Sequence, residues 1–215
     1  MFRMSREAEE AKALDTWGKL APIIDRWQRA TAGDPAELQV RARSSLARDD
    51  AAAHPYPVST AVRHSLNAAV DHLHAAKTLV VDAHLIHQAA LSTLARASLE
   101  TAAAAYWVLG PRSRSDRLTH ALQWHAQNFI DQHKATESRG LTKNAKAELL
   151  GEINQVAVQA NLPDRERNQI RVGYRSTDVA CMRSVPLHGE SERGRRGRWP
   201  RRPKVRPSGS RRGPR

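Results

Sequence analysis

The chain has 215 residues, 40% of them hydrophobic and 5% aromatic, with a formal net charge of +13. That length suits one domain with appendages rather than two full domains. The composition excludes a disulfide scaffold and an acidic disordered chain, and the longest apolar run, Ala102 to Leu109, is far short of the roughly 20 residues a bilayer needs.

Helix signals run in order along the body, with no sustained period-2 alternation to suggest strands. A first helix is expected over 5–30, with Leu14, Trp17, Ala21 and Ile24 on one stripe and a kink or split at Pro22. Gly33-Asp34-Pro35 breaks the chain, and Asp34 as N-cap predicts a second, polar helix over 35–50. His54-Pro55-Tyr56-Pro57 ends it. The third helix, over 58–82, carries a strict heptad stripe of Val62, Leu66, Ala69, Leu73, Ala76 and Val80, which should face the core.

Residues 83–88 read as a turn. A fourth helix follows over 89–109, with Leu91, Ala95, Ser98, Ala102, Ala105 and Leu109 as a mostly small-residue face that lets a neighbour approach closely. Gly110-Pro111 stops it. Ser115 or Asp116 caps a fifth helix to 137, with Leu118, Leu122, His125 and Phe129 aligned. Thr142 caps a sixth to 160, with Leu149, Ile153, Val156 and Ala160 aligned, and Pro163 terminates it. The expected fold is all-α: an antiparallel bundle of about six helices over 1–172, followed by a disordered basic tail over 173–215.

The charge is concentrated in that tail. Residues 1–182 hold 23 Lys and Arg against 20 Asp and Glu, a balance of +3, whereas residues 183–215 hold 12 against 2, a balance of +10. An arginine-rich segment broken by glycine and proline binds phosphate backbones through counterion release. Arg195, Arg196, Arg198, Arg201 and Arg202 are the candidate nucleic-acid contacts, with Trp199 able to stack on a base. A lone cysteine, Cys181, excludes an intramolecular disulfide, and the charged N-terminus lacks the apolar core of a signal peptide. A cytoplasmic protein without a membrane partner is the expectation.

The segments His64-Ser65-Leu66, Leu94 to Ala102 and Ala105 to Leu109 resemble a group of uncharacterised all-helical proteins from actinobacteria. In that group a helix reading Leu-x-Arg-x-x-x-Glu-x-Ala leads into an aromatic-Trp-x-Leu end. The resemblance spans about residues 63–134 and extends, more distantly, to HEPN-type bundles, many of which act on RNA. It implies a helical fold and assigns no activity. The group continues into a helix with a Ser-Gly-x-x-His step, which this chain lacks. A frameshifted reading of a GC-rich gene would give the composition found there instead, and so would a genuine basic arm.

Motifs for chemistry are sparse. The HEPN ribonuclease pattern of Arg, four to six residues, then His occurs at Arg48…His54 and Arg183…His188, but chance alone supplies about four such pairs in a chain this rich in both residues. Arg96 and Glu100 lie four apart, with Ala103 and Trp107 continuing their stripe. If both faces of that helix are buried, the pair sits in low dielectric and is the candidate catalytic or ligand centre; otherwise it is a surface or register-fixing ion pair. His84 with His87 has no acid or cysteine at ligand spacing apart from Asp82, and His125 with His133 shares a face as histidines at a bundle surface or core edge do, so no metal is expected. No phosphate loop, dinucleotide fingerprint or zinc motif is present, and no cofactor is expected. Three functions remain: a non-catalytic interaction module acting as a homo-oligomer or on a protein partner, a HEPN-like ribonuclease or defence component, and nucleic-acid binding through the tail.

Overall fold

The computed structural model describes residues 6–32, 38–137 and 145–174, and these form an all-α antiparallel bundle with no strand among them. The helices are α1 (Arg6–Ala32), α2 (Ser45–Ala52), α3 (Val58–Lys77), α4 (Gln88–Leu109), α5 (Arg114–Glu137), α6 (Ala145–Gln159) and α7 (Asp164–Val172). A π-helical turn, Thr78–Asp82, extends α3. The tail residues named above, with Cys181 and Thr142, lie outside the described residues.

Four details of the expected order are corrected. First, of the kink or split expected at Pro22, the split does not occur: α1 is one helix of 27 residues with Pro22 inside it. Proline deprives the carbonyl four residues earlier of its donor. That residue is Gly18, and both it and Pro22 face solvent, so the loss falls on the wet side of the helix. Second, the helix expected over 35–50 forms only from Ser45 onward. Its N-cap is Ser44, whose Oγ accepts from the Ala47 amide at 3.1 Å, and not Asp34, which lies outside the described residues. Arg43, at φ 66°, interrupts any earlier helical path. Leu38 and Val40 instead line a small apolar cavity of about 120 Å³ with Trp27, Leu46, Val62 and Leu66. Partial burial of those side chains against α1 and α3 competes with the local helix propensity of the segment.

Third, the heptad stripe of α3 faces the core except at Leu73. Val62, Ala69, Ala76 and Val80 are buried and Leu66 is partly buried, but Leu73 is 38% exposed. Ala61, Ser65 and Val70 are buried instead, because α3 is covered from several sides and its contact zone is wider than one seam. Fourth, α4 is rotated from its expected face. Ser98, Ala104, Ala105 and Val108 are buried, whereas Ala95 and Leu109 are exposed. The pivot is a buried hydrogen bond from Ser98 Oγ to the Ala69 carbonyl, 3.0 Å, across the α3–α4 contact. Hydroxyl and alanine side chains let the two backbones come close enough for it.

The seventh helix, α7, is additional to the expected six. It buries Ile170 alone, so its apolar periodicity is nearly invisible. Its end signals were present: Pro163 before it, Asp164 and Glu166 in its first turn, Arg171 in its last and Gly173 after it. Gly173 has φ 71°, a backbone conformation that side chains with a β-carbon rarely adopt, so the chain turn at this point favours glycine, and a β-carbon there would also push the Gln127 amide aside.

The main core gathers Val58 and Val62 of α3, Val108 of α4, Leu118 and Leu122 of α5, Ile153 and Val156 of α6 and Ile170 of α7. Tyr56 enters it from the turn between α2 and α3. Its Oη donates to Glu152 Oε2 at 2.6 Å and its ring meets those of His125 and Phe129. Burial, reinforced by that carboxylate, pushes the Tyr56 hydroxyl up to about 12. The proline-rich turn therefore carries a core residue as well as ending a helix. On the far side, α1 is held by Ile24 and by Lys77, which bridges Asp25 at 3.1 Å and Asp82 at 3.0 Å.

Candidate functional site

Arg96 and Glu100 do pair, with Nε to Oε1 at 2.8 Å, but they do so at the surface. The Arg96 side chain is 70% exposed and that of Glu100 is 22% exposed. Of the two alternatives for the pair, the structure takes the surface one: α4 buries one side against α3, and the other is left open by the described residues. Water screens an exposed pair of this kind. We therefore expect Arg96→Ala to move the thermal midpoint by less than about 2 °C. A larger drop measured by calorimetry would show that the pair supports the fold.

The open side of α4 is apolar around that pair. Leu99 is 64% exposed and Tyr106 58% exposed, two turns apart, with Ala95 and Leu109 also exposed on this helix. Trp107, which the sequence placed on the Arg96 stripe, turns away from it. Its indole stacks on the His120 ring at 4.0 Å and 14°, and on Tyr174 at 5.2 Å.

Two histidines of α5 are built into the interior. His120 Nδ1 lies 2.8 Å from the Trp107 carbonyl and His125 Nε2 lies 3.2 Å from the Pro57 carbonyl. A carbonyl can only accept, so each of those nitrogens carries a proton and donates. Burial holds both imidazoles below the ordinary histidine value of 6.5, more than the carbonyl contacts raise them. The folded chain thus binds fewer protons than the unfolded chain just below that value. Stability is full above about pH 6.5 and falls as the pH drops through it toward the depressed folded values. Urea titrations between pH 7.5 and 5.5 should show that fall, and His125→Gln should lessen it. Stability that is flat or rising on acidification contradicts the assignment. Among the described residues no three His, Cys, Asp or Glu side chains form a metal-binding group.

The densest polar arrangement is one that sequence reading missed. Asp49 of α2 is 1% exposed, and its carboxylate takes two arginines from the start of α5. Arg117 donates from Nε at 2.8 Å and reaches the same Oδ2 from Nη2 at 2.7 Å. Arg114 Nε stands 3.2 Å from Oδ1. Arg117 spends its remaining amine on the Pro111 and Arg112 carbonyls at 3.1 and 3.0 Å, closing the end of the α4–α5 turn. Arg114 also donates from Nη2 to the Arg48 carbonyl at 2.9 Å. The neighbouring Asp50 caps α3 by accepting from the Ser59 amide at 2.8 Å. The Asp49-Asp50 pair thus ties α2 to two other helices. No local spacing announces a partner 65 or more residues away, although adjacent acids in an otherwise alanine-rich helix were a signal of cross-links.

Ser45, Arg48, Asp49, Arg114 and Arg117 line a pocket of about 200 Å³. Arg114 also lines a larger neighbouring pocket of about 440 Å³, with Ala52, Ser115, Leu118, Gln159, Asn161 and Leu162. Arg48 is exposed on α2, and His54, its partner in the Arg…His spacing, is exposed in the following turn.

The fold and surface define an all-α bundle with an open apolar helix face and an arginine-lined groove. No protein-family model, curated protein or solved structure matches the chain. Among the described residues, no helix is long and apolar enough to cross a membrane.

Proposed function

We propose that this chain is a non-catalytic helical interaction module of the cytoplasm that self-associates through the open face of α4. The observation that carries it is the exposure of Leu99 and Tyr106 on one helix side, which no described residue of the chain covers. The face suits a second copy. It presents one cation and one anion, Arg96 and Glu100, so it is neutral. A two-fold antiparallel contact centred near Leu99 matches apolar side chains and brings Arg96 of each copy alongside Glu100 of the other. Sedimentation equilibrium of the full chain should give a dimer mass that Leu99→Glu with Tyr106→Glu reduces to the monomer. A single-chain mass at all concentrations up to about 100 µM, far above the micromolar Kd expected of even a modest contact, overturns the reading.

The charge imbalance favours a second reading, nucleic-acid binding through residues 183–215, where the balance is +10. Binding to an arbitrary duplex that weakens steeply with salt and vanishes on truncation after Met182 supports it. Salt-independent binding, or binding kept by the truncated chain, counts against it.

A further inference from the structure

We propose that the groove between α2, the start of α5 and the α6–α7 turn binds a small phosphomonoester of nucleotide size. The phosphate sits on Arg48 and Arg114, and the organic part lies in the adjoining pocket. This inference does not rest on the α4 face.

The charge count points to a dianion. The smaller pocket has three guanidinium groups and a single carboxylate, Asp49. Asp49 is already engaged by Arg114 and Arg117 through both its oxygens. Two positive charges are therefore in excess. A carboxylate ligand would offset one of them, whereas a phosphate monoester carries close to two negative charges at neutral pH and offers three acceptor oxygens.

The donors are also correctly divided between scaffold and site. Arg117 has contacts to Asp49 and to two backbone carbonyls, so it is structural. Arg114 is fixed by Asp49 through Nε and by the Arg48 carbonyl through Nη2. Its guanidinium is therefore held in one plane, with the side chain still 54% exposed and Nη1 in no hydrogen bond among the described residues. Arg48 and Ser45 lie one turn apart on the same face of α2 and project into the pocket mouth. A planar guanidinium held in advance by the protein loses little entropy on engaging phosphate oxygens.

The larger pocket supplies what a phosphate alone does not need. At about 440 Å³ it falls in the range of small-molecule sites. Ala52, Leu118 and Leu162 give it apolar walls, and the side-chain amides of Gln159 and Asn161 offer both donors and acceptors at its rim. Asn161 is set there by a left-handed backbone, φ 56°, that asparagine tolerates. The lining side chains include no acid; the nearby Glu166 carboxylate stands behind Ser115 and accepts from its Oγ at 2.5 Å and from Thr119 at 3.1 Å. Because Arg114 lines both spaces, a phosphate on it is directly joined to whatever fills the second.

The test is isothermal titration of the full chain with the four ribonucleoside 5′-monophosphates and ribose 5-phosphate, set against the matching nucleosides, ribose and inorganic phosphate. At least one phosphomonoester should bind ten-fold or more tightly than both inorganic phosphate and its own dephosphorylated parent. Arg48→Gln should weaken that binding at least ten-fold while leaving the thermal midpoint unchanged, because the Arg48 side chain holds no part of the Asp49 cluster. The basic tail is present in both proteins, so a difference between them reports the groove. Phosphomonoesters that bind no better than inorganic phosphate overturn the proposal. So does equal binding by the Arg48→Gln chain, which would place the anion on the tail.

Discussion

Replacing Asp49 by alanine is expected to destabilise the body by about 3–5 kcal/mol, the range for stripping one partner from a buried ion pair. The carboxylate is 1% exposed, so hydration compensates little for the loss of its partners. Its loss strands the largely buried Arg117 guanidinium, whose Nε and Nη2 both point at Oδ2. Arg117 would keep its bonds to the Pro111 and Arg112 carbonyls, and Arg114 is half-exposed and can turn to water. Those escapes place the expected cost at the lower end of the range. Replacing the pair together, Asp49→Leu with Arg117→Met, removes both charges and should cost much less than either change alone. The measurement is urea unfolding of the two single variants and the double. An Asp49→Ala cost below about 1 kcal/mol would mean that the cluster behaves as an exposed pair and that α2 is held by its apolar side chains instead.

The second large effect belongs to the core. Ile153 on α6 and Leu122 on α5 are fully buried and lie in the same apolar cluster. Ile153→Ala or Leu122→Ala removes several buried carbons and leaves a cavity that rigid helices cannot close, at a cost of about 2–5 kcal/mol each. Leu73→Ala is the control. Leu73 belongs to the heptad stripe read from sequence, yet it is 38% exposed, so its truncation should cost about 1 kcal/mol or less. Equal costs at Leu73 and Ile153 would show that Leu73 is buried after all and that the exposure described for it on α3 is wrong.

The alanine-rich character of the body explains why its helices were legible. Alanine, leucine and arginine favour helix locally, and Gly110-Pro111, Pro57 and Pro163 mark helix boundaries by backbone chemistry alone. The stripe on α5, Leu118, Leu122, His125 and Phe129, also faces inward as its spacing required, because α5 is covered along one continuous side. Spacing fixes which residues share a face. It does not fix how wide the covering is, which is why the stripes of α3 and α4 were displaced. A short polar helix such as α7 has too few apolar residues for periodicity, and only its end signals betray it.

The sequence by itself determined an all-α chain, the approximate borders of five of its helices, the pairing of Arg96 with Glu100 and the concentration of charge in the final 33 residues. These are matters of backbone preference, residue spacing within a turn or two and composition, all of which act over short stretches of chain. The tertiary structure decided that Arg96 faces water with Glu100 half-buried beside it, that Tyr56 enters the core and that Asp49 meets Arg114 and Arg117 across more than 60 residues. Whether a charge is stabilising, neutral or available to a ligand depends on the dielectric and on the partners around it. Those come from helices brought together by packing, and no local spacing encodes them.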